Sequence, residues 1–290
     1  MNRLGERVDF IGVGVQKAAT DWLFACMAEH PQLRVSSVKE VNFFNKNYEK
    51  GFLWYHRFFQ FGALQAGEYS PLYFQCKDVP ERIHRYNPDA KLVLSLRNPV
   101  DRAYSQHKHQ IMRNRLPPHL HDFARAMEQN PSYIEQGKYA THLENYLSFF
   151  GRERIHVVLF EEVASRPKDV LRELFGYLGV ERSFEPSVLG KRLNVARTYK
   201  SRRLHRLMGK GGRTFRRLLG QAPVQLIKSA GLTGVLRNWN EVELKGDLMP
   251  LMTKEAGESL RTLFEDEIRR LELLIGRDLS LWRRPRDASS

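Results

Sequence analysis

The sequence predicts a three-layer α/β fold, a central parallel sheet flanked by helices. Three observations predict it. Apolar runs of strand length recur at Phe10–Val15, Leu92–Leu96 and Ile155–Phe160. Segments with helical spacing alternate with them. The 290 residues are 42% hydrophobic, enough for a full core. Strands that are apolar on both faces and alternate with helices belong to parallel sheets covered on both sides.

The elements follow in order. Phe10–Val15 reads as a buried strand and Thr20–His30 as the helix after it, stopped by Pro31. Val41–Phe44 is a short apolar segment beside Lys39-Glu40, and Phe52–Phe61 is aromatic-rich with helical character. Gly67–Pro71 reads as a short strand or turn. Val79–Tyr86 reads as a short helix with Asp78 as N-cap. Leu92–Leu96 is the second clear strand, and Val100–Arg113 a helix with Pro99 near its start. Apolar residues at 139, 143, 146, 147 and 150 make Tyr139–Phe150 an amphipathic helix. Ile155–Phe160 is the third strand. Pro167–Leu178 is a helix opened by proline and closed by Gly179. Ser201–Leu219 has helical spacing broken by Gly209, Gly211 and Gly212, and Thr253–Ile275 is a long final helix stopped by Gly276. No internal repeat is visible. The expected organisation is a single domain over 1–290, with a basic, partly helical insertion at about 186–240.

The net charge is +14, and it is unevenly placed. Thirteen of the 47 Lys and Arg fall between Pro186 and Asn240, where no Asp or Glu occurs. Such a field attracts an acidic acceptor or an anionic membrane surface. A solvated basic face is the simpler reading. Nucleic acid is disfavoured, because no zinc finger, RNP-like run or aromatic interleaving accompanies the charge. Two cysteines, Cys26 and Cys76, lack metal-site spacing, and Cys26 reads as a buried structural thiol. No apolar run is long enough to span a bilayer. Val8–Val15 is too short for a signal peptide and contains Asp9. These features predict a cytoplasmic protein, in one reading resting on the inner face of the membrane.

Two strand-to-helix junctions carry the chemistry. The first is Gly12-Val-Gly-Val-Gln-Lys-Ala-Ala-Thr20. It lacks the third glycine of the dinucleotide fingerprint and the Gly-Lys-Ser/Thr of the nucleoside-triphosphate loop. It keeps what an anion needs: Lys17, small residues for close backbone approach, and Thr20 at a helix start. The second is Arg97-Asn-Pro-Val-Asp-Arg-Ala-Tyr-Ser105. Arg97 ends a buried strand, where a cation is costly unless partnered. Ser105, one or two turns into the helix, can face the same anion, while Arg102 reads as a helix-surface residue. Two such junctions point to a ligand with two separate phosphates. Ligands of open α/β sheets sit at the carboxyl ends of the strands, where both junctions lie.

At these residues the chain resembles the sulfotransferases that use 3'-phosphoadenosine 5'-phosphosulfate. The Lys17-x-x-Thr20 loop resembles their P-loop-like 5'-phosphosulfate loop, and Arg97–Ser105 their 3'-phosphate motif. Lys39-Glu-Val-Asn-Phe-Phe44, Tyr69-Ser-Pro-Leu-Tyr-Phe74, Val79-Pro-Glu-Arg-Ile83 and Gly137-Lys-Tyr-Ala-Thr-His-Leu143 are similar to the heparan-sulfate branch. Residues 8–160 carry the likeness well and the remainder loosely; a bacterial member is the expectation. The resemblance implies a donor site made of Gln16, Lys17, Ala18, Ala19, Thr20, Asp21 and Trp22, with Arg97 and Ser105 on the 3'-phosphate. Trp22 would stand against the adenine. Lys200, Ser201 and Arg202, with Arg203, would clamp the donor from the C-terminal side. Lys17, Glu40 and His142 would be catalytic, with Glu40 as general base and His142 on the acceptor side. Three departures stand out: Ala19 replaces the usual glycine, Asp21 brings a negative charge that must point away from phosphate, and Tyr69 replaces a frequent lysine.

The implied chemistry is in-line sulfuryl transfer to a hydroxyl or amine of a carbohydrate, glycolipid or secondary-metabolite acceptor. Adenosine 3',5'-bisphosphate would leave, and no metal is implied. Without the resemblance, Glu40 reads as a surface carboxylate paired with Lys39 or Lys46. A kinase-like phosphotransferase is a second reading, weakened because Leu92–Leu96 runs into Arg97 rather than a magnesium-binding Asp. A non-catalytic module for polyanions or membranes is a third; it leaves both junctions unexplained. The oligomeric state is not legible.

If the basic stretch gathers an acidic acceptor, neutralising Arg213, Arg216 and Arg217 together raises the Michaelis constant for that acceptor and flattens its salt dependence. Exposed charges are screened as the Debye length falls from about 10 Å at 0.1 M salt to about 3 Å at 1 M. Steady-state kinetics across that salt range are the check. Unchanged constants return the stretch to a solvated face, and collapse of donor affinity assigns it to the nucleotide site.

Overall fold

A computed structural model describes residues 6–190, 197–199, 241–243 and 251–284 of the chain. Its centre is a five-stranded, wholly parallel sheet in the order β2-β3-β1-β4-β5. The strands are β1 Phe10–Gly14, β2 Leu33–Val35, β3 Gln65–Tyr69, β4 Lys91–Leu96 and β5 Ile155–Leu159. A separate antiparallel pair joins β6 Arg197–Tyr199 to β7 Glu241–Glu243. The expected helix Ser201–Leu219 lies outside the described residues.

Alternation along the strands builds two cores. On one face Ile11, Val13, Leu92, Leu94, Val157 and Leu159 meet α3 Val79–Tyr86, α4 Pro99–Met112, α7 Tyr139–Leu147 and α10 Lys254–Ile275. On the other face Phe10, Val93 and Val158 meet α1 Thr20–Glu29 and α9 Pro167–Leu178. Period-two alternation sends neighbouring residues to opposite faces, so each strand feeds both cores.

Helix boundaries follow local chemistry. Pro167 opens α9, and Gly179 closes it with φ 81°. The Thr253 hydroxyl accepts from the Ala256 amide at 3.2 Å to cap α10, which ends at Gly276 with φ 65°. Asn98, not singled out from sequence, caps α4 by accepting from the Val100 amide at 3.0 Å. The expected cap at Asp78 is corrected: its carboxylate meets Arg82 at 3.3 Å and caps nothing. The aromatic helix is shorter than its spacing implied. It spans Gly51–His56 as α2, because the Phe58 and Phe59 amides turn back to Tyr55 and His56 while the Phe58 carbonyl accepts from the Ser37 amide at 2.8 Å. The short strand β2 and the helices α5 Phe123–Gln129, α6 Ser132–Glu135, α8 Phe160–Ser165 and α11 Ser280–Arg283 are too brief to leave a clear period.

Two features of β1 set up the site. It lies between β3 and β4, where the strand order reverses, so the chain leaves β1 and β4 toward opposite sides. This is where an α/β sheet opens a crevice. β1 and β3 also interlock by size. Phe10 faces Gly67 and Tyr69 faces Gly12 across the ladder. A Cβ on Gly12 would stand 2.2 Å from the Tyr69 ring.

Gly12→Ala should therefore destabilise the protein by about 1–3 kcal/mol, the range for overpacking a tight core. Urea denaturation checks it. A cost near zero would mean that the ring yields and the interlock is loose.

Candidate active site

The loop between β1 and α1 is anchored from beneath. The Val15 amide donates to the Ser95 carbonyl at 2.6 Å. The hydroxyls of Ser95 and Tyr69 reach the Gly14 carbonyl at 3.0 and 2.9 Å. Tyr69, wholly buried, thus supports the loop from inside. Within the loop Lys17 and Ala19 have φ of 71° and 60°, a region that residues with a Cβ seldom adopt. Ala19 sits where glycine would be unstrained, the residue that the resemblance leads one to expect there. No side chain caps the first turn of α1, so its leading amides are presented to the loop. Gln16 and Lys17 are half-buried and Ala18 is buried.

The second junction meets the first directly. Arg97, just past β4, donates from Nη1 to the Lys17 carbonyl at 3.2 Å. Its guanidinium lies over the Phe160 ring at 4.3 Å, and its carbonyl accepts from the Tyr139 hydroxyl at 2.9 Å. Burial lowers the Lys17 pKa. Asp21 opposes that shift, while Arg97, Arg113 and Lys39 add to it. Two cationic motifs 80 residues apart in sequence thus meet, and each lies in the positive field of the other. Ser105 is half-buried on α4.

Glu40 comes to the same place through Lys39. The Lys39 ammonium lies 2.7 Å from Asp21 Oδ1, 3.4 Å from Thr20 Oγ1 and 3.6 Å from Glu40 Oε1. Asp21 is thereby turned to lysine, which answers the charge that its position posed. Thr20 is 5% exposed and its hydroxyl accepts from Lys39. Glu40 itself has φ 63°, and its amide donates to the Tyr69 carbonyl at 3.2 Å. The carboxylate is thus paired with Lys39, as the surface reading expected, but the pair sits at the mouth of the β1 loop.

Two expected contributors make other contacts. Trp22 is 6% exposed and packs with Leu23, Met27 and Leu33 in the α1–α9 core, which removes its face from stacking on a base. His142 donates from Nε2 to the Glu135 carbonyl at 2.7 Å and packs edge-on against Phe74; these described contacts include neither Lys17 nor Glu40. Burial lowers its pKa, while the Glu135 carbonyl opposes the shift. Lys200, Ser201, Arg202 and Arg203 lie outside the described residues. Arg102 is corrected from a surface to a core residue: it is 0% exposed and donates to Gln106, Gln136 and the Tyr133 carbonyl, tying α4 to α6.

Sequence reasoning missed His109. On the last turn of α4, its imidazole is pushed down to about 4 by burial and then by Lys17, Arg113 and Arg115. It is a neutral ring in the field of Lys17 at pH 7. The only signal available was its four-residue spacing from Ser105, one helical turn along the same face.

Comparison with known proteins identifies the family. The sulfotransferase domain family matches residues 7–206, more than half of the chain. The chain belongs to the sulfotransferase family. It is similar to a bifunctional heparan sulfate N-deacetylase/N-sulfotransferase of Drosophila melanogaster, 29% identical over 204 residues, covering 59% of this chain and 20% of that protein. It is also similar to human heparan sulfate glucosamine 3-O-sulfotransferase 6, 30% identical over 177 residues and covering 59% of this chain. The chain spans about half the length of that enzyme (52%). A crystal structure of a sulfotransferase from Alicyclobacillus acidocaldarius superposes with a TM-score of 0.67 at 25% identity, covering 96% of this chain and 100% of that one.

Arg97→Ala should weaken binding of adenosine 3',5'-bisphosphate by about 10- to 150-fold, since a charge-assisted phosphate contact contributes about 1.5–3 kcal/mol. Isothermal calorimetry measures it. An unchanged dissociation constant would remove Arg97 from the donor site.

Proposed function

We propose that this protein transfers the sulfuryl group of 3'-phosphoadenosine 5'-phosphosulfate to a hydroxyl or amine of a glycan or small-molecule acceptor. The observation that carries the reading is the 3.2 Å contact between Arg97 and the Lys17 carbonyl, which gives one ligand two cationic ends. The residues fit the donor. The β1 loop and the uncapped first turn of α1 offer amides to the 5'-phosphosulfate, Lys17 offers its ammonium, and Arg97 with Ser105 meets the 3'-phosphate.

In the proposed step the acceptor oxygen attacks sulfur in line with the bond to the leaving phosphate oxygen. Glu40 takes the acceptor's proton. The S–O bond to the 5'-phosphate breaks, and the electron pair leaves with adenosine 3',5'-bisphosphate, where Lys17 meets the growing charge. Lys17 suits this task as a compact point charge. Its depressed pKa is partly restored when an anion arrives, so binding the donor strengthens the cation that assists departure. Lys39, between Asp21 and Glu40, holds Glu40 near the loop.

Family membership favours sulfuryl over phosphoryl transfer. The named relatives act on heparan sulfate, which supports a glycan acceptor. A cytoplasmic location, and capture of an acidic acceptor or an anionic membrane by 186–240, belong to the same proposal.

The test uses labelled donor with chemically desulfated heparan oligosaccharide as probe acceptor, alongside a panel of sugar and phenol hydroxyls, and follows release of adenosine 3',5'-bisphosphate. Glu40→Gln should lower turnover by about 10²–10⁴-fold with donor binding intact. Equal turnover in both proteins would return Glu40 to a surface role, and no retention on an adenosine bisphosphate column would overturn the donor assignment.

A further inference from the structure

Glu68 is a carboxylate at 0% exposure, and neither the proposed reaction nor the sequence motifs use it. It lies on β3, one residue before Tyr69. Charged groups at this depth are costly unless fully hydrogen-bonded. Here Oε1 accepts from the Tyr55 hydroxyl at 2.8 Å and the Tyr73 hydroxyl at 2.7 Å, and Oε2 accepts from the Ser70 hydroxyl at 2.7 Å. The Val41 amide is a fourth donor. Burial raises the carboxyl pKa and these donors pull it back.

The hydroxyls do not end at Glu68. Ser70 Oγ accepts from the Asn42 amide at 3.0 Å. The Tyr73 oxygen accepts from the Phe43 amide at 2.7 Å and the Phe44 amide at 3.3 Å. Each hydroxyl has a single hydrogen, and each spends it on Glu68. The direction of the whole network is thus fixed: backbone N–H to hydroxyl, hydroxyl to carboxylate. Four successive amides, 41 to 44, end on Glu68 directly or through one oxygen.

That run begins at the residue after Glu40. Glu40 and Asn42 both sit in the left-handed region, at φ 63° and 52°, which residues with a Cβ hold only when their surroundings impose it. Amides that point to one buried acceptor are such an imposition. The Asn42 side chain adds to it by donating to the Glu40 carbonyl at 3.0 Å.

We infer that Glu68 is a positioning residue for the reaction: it fixes the backbone of 41–44 through Ser70 and Tyr73 and so holds the Glu40 carboxylate at the mouth of the β1 loop. The inference rests on the reading of Glu40 as the base. It assigns no contact between Glu68 and either substrate. An amide in place of the carboxylate replaces one acceptor oxygen with a donor, so at least one hydroxyl loses its acceptor and must turn, which loosens the oxygen on which a backbone amide rests.

The test is a cycle of four proteins: wild type, Glu68→Gln, Glu40→Gln and the double variant. Turnover is measured with labelled donor and the probe acceptors, and the dissociation constant of adenosine 3',5'-bisphosphate by calorimetry. The expected result is that Glu68→Gln lowers kcat by about tenfold or more in the wild-type background, with donor affinity held within about twofold. In the Glu40→Gln background the same change should cost less than about twofold, because a misplaced base and an absent base are equivalent. Equal losses in both backgrounds, or loss of donor affinity along with turnover, would make Glu68 a purely structural residue and overturn the inference alone. No loss from Glu40→Gln would overturn the base assignment and the inference together. If Glu68→Gln does not fold, Ser70→Ala runs the same cycle, since it removes the hydroxyl that links the Asn42 amide to Glu68 and leaves the carboxylate its bonds from Tyr55 and Tyr73.

Discussion

The side-by-side pairing of β1 with β4 is the constraint on which the site depends. The register sets Gly14, the end of β1, against Leu94, two residues before the end of β4, so the two strands finish at the same edge of the sheet. Whatever follows each strand is then delivered to one crevice, regardless of the sequence between them. The consequence is electrostatic crowding. Burial lowers the Lys17 pKa, and Arg97, Arg113 and Lys39 lie close enough to add to that shift. Like charges in a half-buried loop repel, and the fold tolerates them by local answers: a ring under Arg97, a carbonyl for its Nη1, and Asp21 on Lys39. An anion completes that set.

How much was legible follows from what each residue's signal is made of. Lys17 and Arg97 stand immediately after apolar runs, so strand ends and cations could be read together, and the sheet then had to bring them close. Pro167, Gly179 and Gly276 mark helix ends by backbone chemistry that needs no partner. Glu40 was singled out only through likeness to a family, because its place beside the β1 loop is set by Lys39 and by the turn that carries it. Trp22 and Arg102 mislead for opposite reasons. Trp22 is an aromatic next to a ligand loop, yet the α1 period turns it into the core. Arg102 is a cation on a helix, yet Gln106, Gln136 and the Tyr133 carbonyl take it into the interior. Neither outcome is written within a few residues of sequence.

The partnership of Tyr69 with the loop shows how a departure from a family pattern can be absorbed. A frequent lysine is replaced by a ring that fills the space above Gly12 and by a hydroxyl that reaches the Gly14 carbonyl. Glu68, its neighbour, faces the opposite side of the strand and meets Tyr55, Ser70 and Tyr73. Adjacent residues of one strand therefore address the two lips of the site, the β1 loop on one side and the segment from Glu40 to Phe44 on the other.

The left-handed backbone at Lys17, Ala19 and Glu40 has a thermodynamic consequence for any ligand that meets the loop. These conformations cost free energy relative to ordinary regions of φ and ψ, and that cost is met when the chain folds. A ligand arriving later finds the concavity already made and has little backbone freedom left to freeze. The selectivity of such a site is that of a mould: it favours ligands that already match the shape of the loop, and gives little to those that would need it to change.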